Sequence, residues 1–270
     1  MSEGARPPHA VLLRSPEKFA PAPVAAVLAK LKKQPALDFV GPVRAGWGLI
    51  AESLPAEEAD ALAARLNEAG IAALAAPTSL LEAPPAPVLV TKAELSGDGF
   101  DVVSGRANAA PERQSWSHLA VICAGGVEVK ESKTITEKAE MDIKEKAVRL
   151  GLTMATGIPM MGGKKEVTRV VETKDRALTL DLLFLNPARR LRIEARAFDY
   201  SMLGPKMAHA AEVNFGILVG EIAAHAPAAI RGKGTRGFLN KTGDWRYETL
   251  LDLEREERWL LTLAALKAAS

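Results

Sequence analysis

Alternation of polar and apolar positions is clearest between residues 176 and 198. Residues 176–185, Arg-Ala-Leu-Thr-Leu-Asp-Leu-Leu-Phe-Leu, read as one strand, and Asn186-Pro187-Ala188 reads as a turn. Residues 190–198, Arg-Leu-Arg-Ile-Glu-Ala-Arg-Ala-Phe, then alternate strictly, the period-2 signature of a strand with one wet face. Leu203-Gly204-Pro205 breaks the sheet. From about 206 to 226 the period becomes helical, with Met207, Ala210, Ala211, Asn214, Ile217, Leu218 and Ile222 on one face. A hairpin feeding an amphipathic helix implies a sheet that this helix covers.

Upstream, residues 9–14 predict a short strand. Ser15-Pro16-Glu17 has the form of a helix start: Ser as N-cap, Pro at the first helical position, an acid in the first turn. Pro21 and Pro23 hold that helix back to 24–33, and Pro35 ends it. Residues 37–44 and 47–52 read as two strands joined near Gly46. A second helix opens at Ser53-Leu54-Pro55, is carried by Ala59, Leu62, Ala63 and Leu66, and closes at Gly70, a residue suited to the left-handed position. Residues 71–76 form a further strand. The order βαββαβ over residues 1–82 is that of a ferredoxin-like sandwich.

Three prolines within 80–87 read as a linker to a second domain, 88–270. There, 88–94 and 100–103 flank the hairpin signal Gly97-Asp98-Gly99, and 116–123 and 127–130 flank Gly125-Gly126. An insertion over 131–166 begins with charges of alternating sign and continues as the Met-rich, glycine-punctuated stretch 151–163. Residues 167–173 resume the sheet. A basic, glycine-rich loop over 230–243 precedes a last helix over 247–268. The expected fold is α+β: a ferredoxin-like N-terminal sandwich, then a mainly antiparallel β domain covered by two C-terminal helices.

Composition adds mostly exclusions. Apolar residues make up 48% and charged residues 25% of the 270, a soluble globular profile. Thirty-five Lys and Arg against 33 Asp and Glu leave +2, too balanced to argue for nucleic acid. One cysteine, Cys123, excludes an intramolecular disulfide and a multi-cysteine zinc site, and its setting Ala-Val-Ile-Cys reads as a buried small hydrophobe. The N-terminus lacks the apolar core of a signal peptide, and no apolar run reaches the roughly 18 residues of a membrane span. The cytoplasm is the expected location.

Candidate chemistry is sparse. Gly232-Lys-Gly234-Thr-Arg-Gly237 matches G-x-G-x-x-G but follows a helix rather than a strand, and no ribose-binding acid accompanies it. Arg231, Lys233, Arg236, Lys241 and Arg246 around it could hold an anion or a phosphate headgroup. Gly157 to Lys165 imitates a phosphate loop, but the lysine comes one residue late and Lys165 stands where a hydroxyl should ligate magnesium. Met154, Met160 and Met161, with Lys164 and Lys165, are candidates for an adaptable contact surface. His209 and Glu212 are three apart on a predicted helix, a poor metal site without a third ligand. Asp181, Glu194 and Asp199 share two strands with Arg190, Arg192 and Arg196, for which cross-strand ion pairing is the simpler account than acid–base chemistry. Trp47 and Trp116 read as core anchors. No catalytic residue, metal ligand or cofactor is assigned.

The stretch Glu57 to Ala73, with its Ala-Gly70-Ile ending, is similar to small bacterial ferredoxin-like modules, including a signal-transducing type. Gln114-Ser-Trp116-Ser-His-Leu, Phe198-Asp-Tyr200-Ser-Met-Leu-Gly204 and Asn214-Phe215 resemble bacterial two-domain proteins of uncharacterised function. The β-rich part with its covering helix looks like a pleckstrin-homology barrel, an analogy of fold alone. The resemblance implies no catalytic residues. The leading expectation is therefore a non-enzymatic, adaptor-like binding or regulatory protein with a protein partner. The alternatives are a small-molecule sensor using the ferredoxin-like part, a peripheral binder of anionic lipid through 231–246, and an enzyme with dispersed residues. A homo-oligomer is compatible with all of them.

Overall fold

The computed structural model describes residues 7–105, 110–138 and 166–269, the side chains of 129–138 and 166–175 left aside. The chain divides into two compact units, Met1–Glu128 with Arg176–Ser270, and Val129–Asp175. Every side chain considered below belongs to the first. The fold class is mixed α+β.

At the N-terminal end, β1 (His9–Leu13) is the central strand of a three-stranded antiparallel sheet, order β2-β1-β3, with β2 (Leu49–Leu54) and β3 (Ala73–Pro77) on its flanks. Two helices, α1 (Pro21–Lys32) and α2 (Leu37–Gly46), join β1 to β2, and α3 (Ala56–Glu68) joins β2 to β3. α3 buries Ala59, Ala63 and Leu66, one face at helical spacing, and Gly70 follows it at φ 77°, the left-handed turn expected of it.

The strand expected over 37–44 is a helix, which corrects the βαββαβ order to βααβαβ and removes one strand of a ferredoxin-like sheet. Burial shows why. Phe39 and Val40 are half-buried and Val43 is buried, positions i, i+1 and i+4, so the inward face has helical period, not alternation.

The second sheet has eight strands: β4 (Pro87–Leu95), β5 (Gly99–Ser104), β6 (Glu112–Ser115), β7 (Leu119–Lys138), β8 (Glu166–Leu185), β9 (Ala188–Glu194), β10 (Ile230–Arg231) and β11 (Arg246–Tyr247). Their order is β10-β7-β8-β9-β4-β5-β6, with β11 also on β7. The sheet is mixed: β8–β9, β4–β5 and β5–β6 pair antiparallel, while β10 and β11 run parallel to β7 and β4 runs parallel to β9. β10 and β11 each rejoin the sheet after a helix, a connection that allows parallel pairing where a tight hairpin would not.

Period-2 alternation gives this sheet two buried faces. Ile122, Ala124, Leu180 and Leu182 face α4 (Ala211–His225), which contributes Phe215, Leu218, Val219 and Ile222. Val121, Cys123, Val127 and Leu183 face the other way, into a core shared by α6 (Leu250–Ala268) and the N-terminal layer, with Trp47 and Trp259 inside it. Trp116 packs in the first core, stacked on Phe100 with centroids 4.4 Å apart. Thr249 starts α6 with a reciprocal cap: its hydroxyl accepts from the Asp252 amide, and the Asp252 carboxylate accepts from the Thr249 amide.

Two further expectations are corrected. Gly125-Gly126 is no turn, since β7 runs straight through it. A Cβ on Gly125 would stand 2.2 Å from the Tyr247 ring, so glycine here admits an aromatic neighbour. The stretch 230–243 is not a loop either. It forms β10 and then a short helix, α5 (Lys233–Leu239). The helix expected over 206–226 shortens to α4, preceded by a 3-10 segment, Tyr200–Lys206.

Candidate functional site

The side chains with most chemical potential gather where β10 and α5 meet the end of β1 and the last turns of α6. Parallel pairing of Ile230 with Val121 and Arg231 with Ile122 carries the chain from α4 back to the sheet. Thr235, wholly buried, then locks α5 onto β7: its hydroxyl donates to the Ile122 carbonyl and accepts from the Ala124 amide, both at 2.8 Å. Gly234 permits this approach, because a Cβ there would lie 2.0 Å from the Ala124 carbonyl oxygen. Within the G-x-G-x-x-G run, Gly234 therefore serves helix–strand packing, and Gly237 makes room for the Asp244 backbone.

Beneath α5 sits Glu256, fully buried. One carboxylate oxygen accepts from the Lys233 amide at 2.7 Å, and the other accepts from the Tyr247 hydroxyl, which itself accepts from the Gly234 amide at 3.1 Å. Burial raises the pKa of Glu256, although Tyr247, the Lys233 amide and the charges of Arg236 and Lys233 act against that rise. Tyr247 is pushed well above the ordinary tyrosine range by burial and by Glu256, so it stays a neutral donor. Cys123 is buried, and burial also raises its pKa well above the usual value, which makes it an inert thiol.

Beside β10 and α5 opens a cavity of about 740 Å³. Arg14, Arg231, Arg236 and Lys267 line it against a single acid, Glu17, while Leu74, Ile230, Leu239 and Leu263 supply apolar wall. Arg231 donates from Nη2 to the Ala223 carbonyl at 3.2 Å, and its Nε is buried with no partner. Arg236 donates from Nη1 to the Arg231 carbonyl and from Nη2 to the Pro16 carbonyl at 3.1 Å. Both guanidinium groups thus meet neutral backbone oxygens. Glu256 lies within electrostatic reach of Arg236, whose charge acts against the rise that burial gives its pKa.

A second cavity of about 460 Å³ adjoins the first, since Pro16, Glu17, Arg236 and Asn240 line both. Its wall includes Phe19, Trp47 and Trp259. A third, of about 690 Å³, shares Phe19, Trp47, Lys233 and Asp244 with the second. In the third, Lys233, Arg44 and Arg246 are matched by Asp244, Glu248 and Asp252, so its charge is balanced.

Of the basic residues singled out in the sequence, Arg231 and Arg236 converge on the first cavity. Lys233 is tied to Asp244 at 3.1 Å, and Arg246 lies over the Trp245 ring, 5.6 Å from its centroid. Lys241 is exposed in a left-handed conformation, φ 55°, and lines none of the three cavities. Met154, Met160, Met161, Lys164 and Lys165 lie outside the described residues. Arg14 and Lys267 were not singled out: they sit at opposite ends of the chain, and no local pattern marks them as partners.

Asp181 makes the cross-strand ion pairs expected of it. Arg192 donates to it from Nε and Nη2 at 2.8 and 2.7 Å, and Arg190 from Nη2 at 2.9 Å. The network reaches α6 through Glu254 and Glu257, with Arg190 Nη2 2.8 Å from Glu257 Oε2 but off the hydrogen-bonding direction. Asp199 accepts from the Ser201 amide at 2.9 Å as a turn cap. Neither Asp199 nor His209 lines any of the three cavities. Among the described residues no helix is long and apolar enough to cross a membrane. No family model, no curated protein and no solved structure matches the chain.

Proposed function

We propose that this chain is a non-enzymatic binding protein that senses a small anionic molecule held in the cavity lined by Arg14, Arg231, Arg236 and Lys267. The observation that carries the reading is the incomplete pairing there. Arg231 and Arg236 spend their hydrogens on neutral carbonyls, and one guanidinium N–H is buried without an acceptor. An entering anion can accept from the other guanidinium N–H groups of the lining arginines through charge-assisted bonds, which are stronger than neutral ones. Four basic side chains against one acid favour a multiply charged anion, such as a phosphate ester.

The N-terminal layer contributes Arg14 and Leu74 to the wall, which supports a sensor whose α/β part helps hold the ligand. We read that layer as a three-stranded relative of the ferredoxin-like arrangement; the antiparallel order β2-β1-β3 with helices between the strands supports it. The concave shape favours one enclosed molecule over a flat partner surface.

The test is thermal melting and calorimetry with pyrophosphate and ribose 5-phosphate, alongside sedimentation with phosphatidylserine vesicles. A saturable rise in melting temperature is expected, because a ligand at 100 times its Kd stabilises the native state by about 2.7 kcal/mol. The double variant Arg14→Glu, Lys267→Glu alters only exposed positions, so it should abolish the rise and leave the unliganded melting temperature in place. Binding to vesicles with none to soluble phosphates would replace this reading with lipid association. Absence of both would sink it.

A further inference from the structure

The basic cavity is too large for its anion alone. A phosphate group fills a small part of about 740 Å³, within the range of roughly 300–1,000 Å³ that holds drug-sized ligands. The rest of the ligand has one direction of growth in which the lining stays continuous, past Arg236 and Asn240 into the second cavity.

There the lining gains aromatic rings, and the bases Lys233 and Arg236 are offset by Glu17, Asp244 and Glu256. Phe19 packs between Trp47, centroids 5.8 Å apart and 29° between planes, and Trp259, at 5.7 Å and 60°. Phe19 is half-buried, so part of its ring surface borders the cavity, while the two tryptophans hold it from behind. Trp47 keeps this position with a backbone φ of 54°, a conformation that costs on the order of 1–3 kcal/mol in a non-glycine residue and persists only where its surroundings impose it. Around the rings, Asn240 and Thr242 are exposed polar side chains able to meet the edge of a flat heterocycle.

Resting on the anion-binding reading above, we infer that the ligand class is a phosphomonoester carrying a planar aromatic ring, a nucleoside monophosphate or a close analogue. The phosphate is held by Arg14, Arg231, Arg236 and Lys267, and the ring lies against Phe19. Arg236, which lines both cavities, stands at the join. The third cavity, balanced in charge, is not needed for this ligand.

The experiment uses the full chain and three probes: AMP, ribose 5-phosphate and adenosine, followed by calorimetry and by tryptophan emission. AMP should bind ~10-fold or more tighter than ribose 5-phosphate, within the range that one base–aromatic stack contributes. It should also quench emission, which the sugar phosphate should not. Phe19→Leu should bring AMP down to the affinity of ribose 5-phosphate without weakening the latter. Thr242→Ala, at an exposed position that lines the second cavity and not the first, should lower AMP affinity alone. Equal affinity for AMP and ribose 5-phosphate would overturn the inference and leave the anion-binding reading standing. Failure of both phosphates to bind would remove that reading and the inference with it.

Discussion

The indole Nε1–H of Trp259 donates to the Leu13 carbonyl at 2.8 Å, joining residues 246 positions apart. It ties α6 to the end of β1, the same end that delivers Arg14 to the basic cavity. Trp259 is fully buried, and Gly48 lies so close that a Cβ there would fall 1.8 Å from the indole. Trp259→Phe leaves a void and a buried carbonyl with no donor. The expected loss is about 2–4 kcal/mol, read as the urea midpoint by circular dichroism. A loss under about 1 kcal/mol would show that this joint tolerates repacking.

Asp181, itself fully buried, is held by two buried arginines, Arg190 and Arg192. Asp181→Asn keeps the volume but leaves both guanidinium groups without that charge. Breaking such a buried pair costs about 3–5 kcal/mol. By contrast Glu112, exposed and paired with Arg189, should lose less than about 1 kcal/mol as Glu112→Gln. Chemical denaturation of the two variants side by side checks the ranking, and equal losses would refute the importance given to the buried network.

Gly234→Ala should act on the ligand site through packing. The added Cβ would stand 2.0 Å from the Ala124 carbonyl oxygen, so α5 must move off β7, carrying Arg236 with it. Overpacking of this kind costs about 1–3 kcal/mol. Phosphate binding should weaken as well. Gly97→Ala, where a Cβ meets nothing within 4 Å, is the matched control and should leave both properties unchanged.

What the sequence shows and what it hides divide along physical lines. The hairpin from 176 to 194, the α3 helix and the left-handed Gly70 were legible because periodicity and turn chemistry act locally, whereas the alternation over 195–198 continues past the end of β9 into a turn. The helix over 37–46 was not, since a short apolar run containing Gly41 and Pro42 suits neither period clearly. Gly125-Gly126 looks the same whether it turns a chain or makes room for Tyr247; only the position of Tyr247 decides. Half of the basic cavity was readable for a similar reason. Arg231 and Arg236 lie in one visibly basic stretch, whereas Arg14 and Lys267 join them only after β1 and α6 have packed, an event with no local signature.

The neighbouring buried acids of α6 give the chain a stability that depends on pH in a definable direction. Burial raises the pKa of Glu257 well above the ordinary glutamate range, and the charge of Asp181 raises it further, against Arg190 and Arg192. Asp181 goes the other way: burial would raise it, but hydrogen bonds and charge from Arg192, with Glu257 and Arg190, hold its pKa below the ordinary aspartate range. One proton is thus kept on Glu257 beside an ionised Asp181. For Glu257 the folded state binds more protons than the unfolded state at any pH between its unfolded and folded pKa values, so stability falls as pH rises through that interval. Glu256, also raised, adds to the same slope. Asp181 contributes stability above its unfolded pKa that is lost as pH falls through its lower folded value. Glu257→Gln removes the first effect and keeps the second. Relative to the natural chain, the variant should therefore gain stability as pH rises above the ordinary glutamate range, measured as the difference in urea midpoints between pH 5 and pH 8. A difference that stays flat across that range would mean that Glu257 is ionised in the fold at pH 5 already.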